Sequence, residues 1–299
     1  MNKQFAIRAA AIATIAVIAC LAAAGQSPAD PAEIMRRSLE HESLDFDPPA
    51  MPDYTYTVLD EEKKLNPDGS VKSVTSETRE VINLYGGHFE RVTARNGHDL
   101  PADKAAAEQA RFDKAVEKQK RAVEQWQARQ TADSKVQLQE AAKKSKEKRL
   151  RCNEGFLKMF DLAVAGTEAL NGRTAWIIEM KPRLNAASPS DCGGDLKMFG
   201  RLHIKVWVDQ EDYRWARFEA DNVAPVNYGK ILFRVPTGAL YALWEQARNE
   251  DGVWLVTHDR IKAMAKVMLA VPVRVDETDA YTGYRKYQAE SRIVTDGGK

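Results

Sequence analysis

The feature that most constrains the fold is a long alternation of apolar and polar residues near the carboxyl end of the chain. A strand sends alternate side chains to opposite faces, whereas a helix turns with a period of about 3.6 residues. The alternation therefore predicts one long strand with a single buried face, and its β-branched residues favour the same assignment. The apolar positions are Ile261, Ala263, Ala265, Val267, Leu269, Val271, Val273 and Val275.

A second alternation, in the stretch GRLHIKVWVDQEDYRWARFEADN, predicts a β-hairpin. The polar run 209–212 turns the chain into a second strand from Tyr213 to Ala220. Turn signals such as Asn66-Pro67-Asp68-Gly69 and Asn171-Gly172 separate other short alternating runs. The sequence therefore predicts an antiparallel sheet of successive hairpins. One face of the first strand in this hairpin carries Leu202, Ile204, Val206 and Val208.

The segment from Pro101 to Arg151 differs sharply in composition from the rest of the chain. It contains no glycine and no internal proline, and Lys, Glu, Ala, Gln and Arg dominate it, which favours solvated helices. A break near residues 131–134 predicts two helices, and we interpret residues 101–151 as a charged helical hairpin inserted into the sheet. A separate short helix from Phe156 to Phe160 is expected to follow. A narrow apolar stripe is formed by Phe112, Val116, Val123 and Trp126.

The amino-terminal stretch is typical of a secretory signal peptide. Lys3 and Arg8 precede an apolar run, and small residues follow it, so we assign residues 1–24 to the signal and 25–299 to a single domain. Two routes of maturation are open. The small residues 22–24 suit ordinary signal peptidase, whereas Val17-Ile18-Ala19-Cys20 resembles a lipoprotein box in which Cys20 would be lipidated. Both routes predict an exported, periplasmic protein, which the second would anchor to a membrane.

Cys152 and Cys192 are the other cysteines of the chain, and an oxidising compartment favours a disulfide between them. Such a bond would close a loop of about 40 residues and stabilise the fold by about 3–4 kcal/mol. The alternative is two unpaired buried thiols. A catalytic redox pair is not predicted, because the C-x-x-C spacing is absent.

The chain shows none of the common sequence signatures of catalysis. His41-Glu42 lacks the second histidine of a zinc-protease helix, and no nucleophile elbow, dinucleotide-binding turn or P-loop occurs. A formal net charge of +1 does not indicate nucleic-acid binding. We therefore expect no catalytic residue, no metal site, no cofactor and no nucleic-acid partner.

Several strand-and-turn stretches together resemble the LolA/LolB/RseB-like group of periplasmic outer-membrane lipoprotein-sorting proteins. They include YTYTVLDEEKKLNPDGSVKSVTSETREV, GTEALNGRTAWIIEMKPR and LHIKVWVDQEDYRWARFEA. The resemblance implies an α+β fold in which an open, strongly curved antiparallel half-barrel wraps around helices. It also implies an apolar cavity that holds acyl chains in transport members. The inserted segment 101–151 departs from that pattern.

Two functions of different classes follow from these observations. In the first, the protein is not an enzyme and binds a lipid or lipoprotein in an apolar concavity. In the second, the concavity is filled as ordinary core, and the helical hairpin 101–151 makes the protein an envelope interaction or stress-sensing module for a protein partner. The predicted lipid-binding residues are Leu202, Ile204, Val206, Val208, Val267, Leu269, Val271 and Val273.

Overall fold

The computed structural model describes residues 29–41, 54–129, 132–187, 189, 192, 196–228, 233–267 and 271–286. Within these ranges the helices are α1 (Pro31–Ser38), α2 (Ala102–Ala128), α3 (Ala132–Leu157) and α4 (Leu196–Phe199). The strands are β1 (Tyr54–Leu65), β2 (Val71–Leu84), β3 (Gly87–Arg95), β4 (His98–Asp99), β5 (Phe160–Leu170), β6 (Arg173–Pro182), β7 (Leu202–Asp209), β8 (Trp215–Asn222), β9 (Val226–Tyr228), β10 (Phe233–Val235), β11 (Leu240–Arg248), β12 (Trp254–Val267) and β13 (Val271–Lys286).

The strands form one sheet in which every recorded pairing is antiparallel. Its order from edge to edge is β4-β3-β2-β1-β13-β12-β11-β8-β7-β6-β5, with β10 paired to both β12 and β9. The end strands β4 and β5 are not neighbours, so the sheet is open. Helices pack on it, which gives an open α+β half-barrel and confirms the predicted fold class.

The first and last strands of the sheet lie side by side. β1 pairs with β13 from Tyr54 opposite Lys286 to Lys64 opposite Val275. The ladder between them joins the β1–β4 meander to all the other strands, and we call it the seam. Each half of the sheet therefore depends on the seam for its continuity.

The alternation from Ile261 to Val275 belongs to two strands, so the prediction of one long strand was wrong. β12 and β13 form a hairpin in which Val267 lies opposite Val271 and Ala265 opposite Val273. In this register odd-numbered residues face odd-numbered residues. The period of two therefore continues through the turn unchanged, and the alternation gives no sign that the chain reverses.

The main core lies on one face of β5–β8, which we call the inner face of the sheet. α1, the last turn of α3 and α4 cover this face. Asp30 caps α1 by accepting a hydrogen bond from the amide of Ala32 at 3.0 Å, and Pro31 occupies the first turn. The largest fully buried side chains of this core include Met35, Leu39, Phe156, Phe160, Ile178, Met180, Ile204, Val206 and Val208.

α2 and α3 together connect the two edges of the sheet. α2 follows β4 and packs on β3, where the rings of Phe112 and Phe89 lie 6.2 Å apart. α3 leads into β5 at the opposite edge. The predicted break agrees with the structure, since α2 ends at Ala128 and α3 begins at Ala132. None of the described helices is long and apolar enough to cross a membrane.

The separate helix expected from Phe156 to Phe160 is not formed. α3 continues through Gly155 to Leu157, and β5 begins at Phe160. Gly155 allows a close approach between α3 and the segment that follows β6, because a Cβ atom at this position would clash with Cγ of Pro189. The glycine therefore serves packing inside the helix and does not end it.

Candidate functional site

The predicted lipid-binding residues of β7 lie in the packed core. Ile204, Val206 and Val208 are fully buried, and Leu202 is almost so. They belong to one cluster with residues of α1, with Phe156 of α3 and with Phe199 of α4. The inner face of β7 is therefore filled by the protein's own side chains.

The other half of the predicted site lies at the end of the β12–β13 hairpin. Val267 and Val271 are opposite each other in the ladder, Val273 is exposed, and Leu269 lies outside the described residues. Ile261, on the same face as Val273, is also exposed. The structure thus separates a filled half of the predicted site, on β7, from an open half on β12 and β13.

Three carboxylates cross the seam in one line on the inner face. Asp60 of β1 lies directly opposite Asp279 of β13, which lies directly opposite Asp259 of β12. We call these three residues the carboxylate row. Arg79 of β2 contacts two of them, since its Nη2 lies 3.2 Å from Oδ2 of Asp60 and 3.5 Å from Oδ2 of Asp279. The hydroxyl of Tyr281 donates to Oδ2 of Asp259 at 2.7 Å.

The carboxylate row favours protonation. Burial, with the neighbouring charges of Asp259 and Asp60, raises the pKa of Asp279 to about 7. Burial also raises the pKa of Asp259, against the opposing hydrogen bond from Tyr281. Oδ1 of Asp279 and Nε of Arg79 are buried and have no hydrogen-bond partner among the described residues. The arrangement can hold a proton near neutral pH.

Sequence reasoning missed the carboxylate row, although part of its signal was present. Asp259 occupies the odd position that precedes Ile261, so it continues the apolar face of β12. Asp60 begins the charged run of β1, residues 60–64. The register that brings the three side chains together depends on the pairing of the first strand with the last, which no local pattern indicates.

A second buried carboxylate, Asp209, has the opposite electrostatic setting. Burial would raise its pKa, but Arg173 and the amides of Asp212 and Glu211 hold the pKa below its usual value. Arg173 donates from Nε and Nη2 at 2.7 and 2.6 Å, and the two amides donate at 2.7 and 3.0 Å. Asp209 therefore acts as the structural centre of the β7–β8 turn.

An adjoining cavity of about 20 Å³, beside Trp254, is about the size of one water molecule.

A polar cleft of about 130 Å³ lies on the outer face, opposite the core. His203, Lys205 and Tyr241 are among its lining residues. Nε2 of His203 lies 2.9 Å from Oε1 of Glu179, and Nδ1 lies 3.4 Å from Oδ2 of Asp221. Across the described part of the chain, no group of three or more His, Cys, Asp and Glu residues is placed to hold a metal ion.

The cysteines considered in the sequence have different positions in the structure. Cys152, near the end of α3, is bonded to Cys192, with Cα atoms 5.5 Å apart. This is the pair that the sequence analysis expected. Cys20 and the predicted signal peptide, residues 1–24, lie outside the described residues.

Comparison with known proteins finds similarity at the level of solved structures. No protein-family model matches the chain. No curated protein matches it either. The similar structures include a LolA superfamily protein and MucB proteins. They represent the group that the sequence stretches resemble.

Three of these structures illustrate the extent of the likeness. A putative outer membrane lipoprotein-sorting protein domain from Vibrio parahaemolyticus is 10% identical over 88% of this chain and 94% of its own, with a TM-score of 0.34. A LolA superfamily protein from Nitrosomonas europaea is 10% identical over 88% and 94%, with a TM-score of 0.27. MucB in the MucA/MucB complex of Pseudomonas aeruginosa is 12% identical over 87% and 100%, with a TM-score of 0.22.

Proposed function

We propose that this protein is an exported, non-enzymatic binding protein of the cell envelope that holds a protein partner on α3. The observation that carries the proposal is the exposure of this helix on every side from Val136 to Arg151. Its carboxyl end, by contrast, is fixed in the core by Phe156 and by the disulfide of Cys152. A helix that is exposed on every side gains little from packing, so its retention on a fixed base favours a role outside the core.

The charge of α3 indicates the chemistry of the partner. Six basic and two acidic side chains give residues 136–151 a net charge of +4. Charged surfaces of opposite sign steer association and select partners. An acidic surface or segment of another envelope protein therefore fits this helix better than a basic one. The basic side chains are Lys143, Lys144, Lys146, Lys148, Arg149 and Arg151.

A site-specific crosslinking experiment in cells tests this proposal. A photo-crosslinking amino acid is placed at Leu138 of α3 and, as a matched control, at the exposed Val71 of β2. We expect one discrete protein adduct at position 138 and none at position 71. Replacing Lys143, Lys144 and Lys148 by Gln should weaken that adduct. The same adducts at both positions, or none at either, would contradict the proposal.

A second function, the binding of a lipid or of a lipoprotein acyl chain, is favoured by a different observation. Ile261 and Val273 are 48% and 40% exposed on the inner face of β12 and β13. Covering such side chains contributes about 25 cal/mol per Å² of apolar surface removed from water. The predicted site includes Val273, so an acyl chain would lie on the open half and not on β7.

Mass spectrometry of the protein purified from a diderm host distinguishes this second function from the first. Near-stoichiometric lipid in the wild type would support lipid binding. That lipid should be lost in Val273→Glu and retained in Met264→Glu, because Met264 is exposed on the outer face of the same hairpin. A wild-type protein that is free of lipid and takes up none from added phospholipid would exclude it.

A further inference from the structure

The carboxylate row crosses the seam, the ladder that joins the β1–β4 meander to the rest of the sheet. Asp60 and Asp279 face each other across the seam, and Asp259 continues the line onto β12. Like charges directly opposite each other destabilise a strand pair. The side chains of Asp60 and Asp279 are 21% and 16% exposed, so water screens their repulsion only in part.

The charged groups around the row do not neutralise it. Arg79 contacts Asp60 and Asp279, but it also lies 3.7 Å from Glu90 of β3. Asp259 has the hydroxyl of Tyr281, a neutral donor. Three ionised aspartates would thus share the single charge of Arg79.

More distant groups add little positive charge to the row. Lys64 of β1 lies 3.9 Å from Glu62, and Arg95 of β3 lies 3.1 Å from Glu77, so these cations are engaged elsewhere. The remaining titratable neighbours are Glu277 of β13, whose charge also acts on Asp279, and His258 of β12, whose charge acts on Asp259. No described neighbour therefore removes the repulsion within the row as well as a bound proton does.

We propose that the carboxylate row is a proton-operated switch in the seam, which holds one proton in mildly acidic surroundings and releases it in mildly basic ones. On release, the O–H bond of the Asp279 carboxyl breaks and the proton passes to solvent. The added negative charge then loosens the pairing of β1 with β13. The β1–β4 meander thus opens more often when the surrounding pH rises.

The pH dependence of unfolding tests the switch. Asp279 has a folded-state pKa of about 7, raised from 3.8. Between these values the folded state binds more protons than the unfolded state, so stability falls as pH rises and is fully reduced above about pH 7. Urea unfolding of the full mature chain from about pH 5.5 to 8.5 should show this fall. In Asp279→Asn, the slope of the unfolding free energy against pH should correspond to about one bound proton fewer in the folded state than in the wild type.

Asp276→Asn is the matched control. Asp276 lies on the same strand but on the outer face, where Nε and Nη2 of Arg260 each donate to it at 2.7 Å. This variant should be less stable than the wild type at each pH but should keep the wild-type dependence on pH. If Asp279→Asn also keeps the wild-type dependence, the switch does not exist.

Hydrogen–deuterium exchange of the wild-type protein gives a second readout that does not depend on a variant folding. Protection factors, corrected for the intrinsic pH dependence of exchange, should fall in the seam as the pH rises from about 5 to 7 and stay level above it. They should stay constant in the ladder between β6 and β7, which carries no such row. An equal change in both ladders would overturn the proposal.

Discussion

Asp209 and Asp279 are both carboxylates removed from water, and their partners decide their properties. Asp209 accepts two hydrogen bonds from the guanidinium of Arg173 and two from turn amides, and these bonds keep it ionised. Asp279 faces two other aspartates and shares its cation with Asp60. The first arrangement stabilises the charged form, and the second stabilises the protonated form.

At Asp209 we predict a large loss of stability on truncation. Asp209→Ala should lower the free energy of unfolding at pH 7 by about 3 kcal/mol, because it removes the buried acceptor of two hydrogen bonds from Arg173 and of two from turn amides. Urea unfolding measures the loss. Glu211→Ala is the control: its side chain is 78% exposed and pairs with the same arginine at 3.1 Å. It should change stability by less than about 1 kcal/mol. Equal effects of the two changes would contradict our account of Asp209.

Single residues were predicted well from sequence where their role is local. The turn at Asn171-Gly172 agrees with the structure, because these two residues themselves favour the turn. Gly155 and Asp279 were not understood, because Pro189 approaches one and Asp60 faces the other. Their roles depend on residues that are distant in sequence.

Among the elements, α3 combines two kinds of helix in one. From Val136 to Arg151 it is exposed on all sides, and its last turn is part of the core. At the boundary, Asn153 donates from Nδ2 to the carbonyl of Leu39 at 2.9 Å and so ties α3 to the end of α1. The helix changes from solvated to packed within about one turn.

This boundary predicts very different costs for two truncations in α3. Phe156→Ala should lower the free energy of unfolding by about 3–5 kcal/mol, because it leaves a cavity among Phe160 and Phe199. Leu138→Ala should change it by no more than about 0.5 kcal/mol, because that side chain is exposed. Calorimetry or urea unfolding compares them. A large cost at Leu138 would show that the outer part of α3 packs against the protein.

The disulfide gives a further prediction for α3. Reducing the bond between Cys152 and Cys192 should lower the free energy of unfolding by about 2–5 kcal/mol, because it removes a constraint on the unfolded chain. Thermal unfolding with and without reductant measures the change. The Cys152→Ser/Cys192→Ser double variant should resemble the reduced protein and should not respond to reductant. A reductant effect of the same size in the double variant would contradict this explanation.

Most elements could be predicted from the sequence, and the β12–β13 turn shows why some could not. Turns with their own chemistry, such as Asn66 to Gly69, were found because their residues favour the turn itself. The reversal between Val267 and Val271 keeps apolar residues on one face in both strands. Periodicity indicates which face a residue takes, but not how many strands share that face.

For the whole molecule, titration of the carboxylates predicts an optimum of stability on the acid side of neutrality. Hydrogen bonds from Arg260 lower the pKa of Asp276, and those from His203 and Lys181 lower the pKa of Glu179. A carboxyl group with a lowered pKa stabilises the folded state when the pH is above its unfolded-state pKa, which is 3.8 for Asp276 and 4.5 for Glu179. This stabilisation is lost as the pH falls through the folded-state pKa. Asp279 acts in the opposite direction as pH rises toward 7.

Thermal unfolding across about pH 3 to 9 should therefore show the highest midpoint near about pH 4.5, because the contribution of Asp279 falls from there up to about pH 7. The midpoint should fall on both sides, more steeply on the acid side, where several carboxylates protonate together. In Asp279→Asn the basic limb should be shallower and the acid limb unchanged. A midpoint that rises steadily up to pH 9 would contradict this profile.

At the scale of the molecule, the sequence predicted the open antiparallel sheet but not what fills its inner face. Val206 and Val208 would carry the same pattern on the wall of an empty cavity as in a closed core. The side chains that cover this face come from α1 and from the end of α3, at Met35 and Phe156. Their position relative to β7 depends on tertiary packing, which no local pattern indicates.

The adjacency of β1 and β13 also has a consequence for how the chain reaches its final form. A polypeptide is synthesised from its amino end. The β1–β4 meander therefore emerges first, while the strand that completes its ladder emerges last. Until then β1 presents an unsatisfied row of backbone groups to any strand that it meets. The β1–β4 meander is therefore most open to mispairing before β13 has been synthesised.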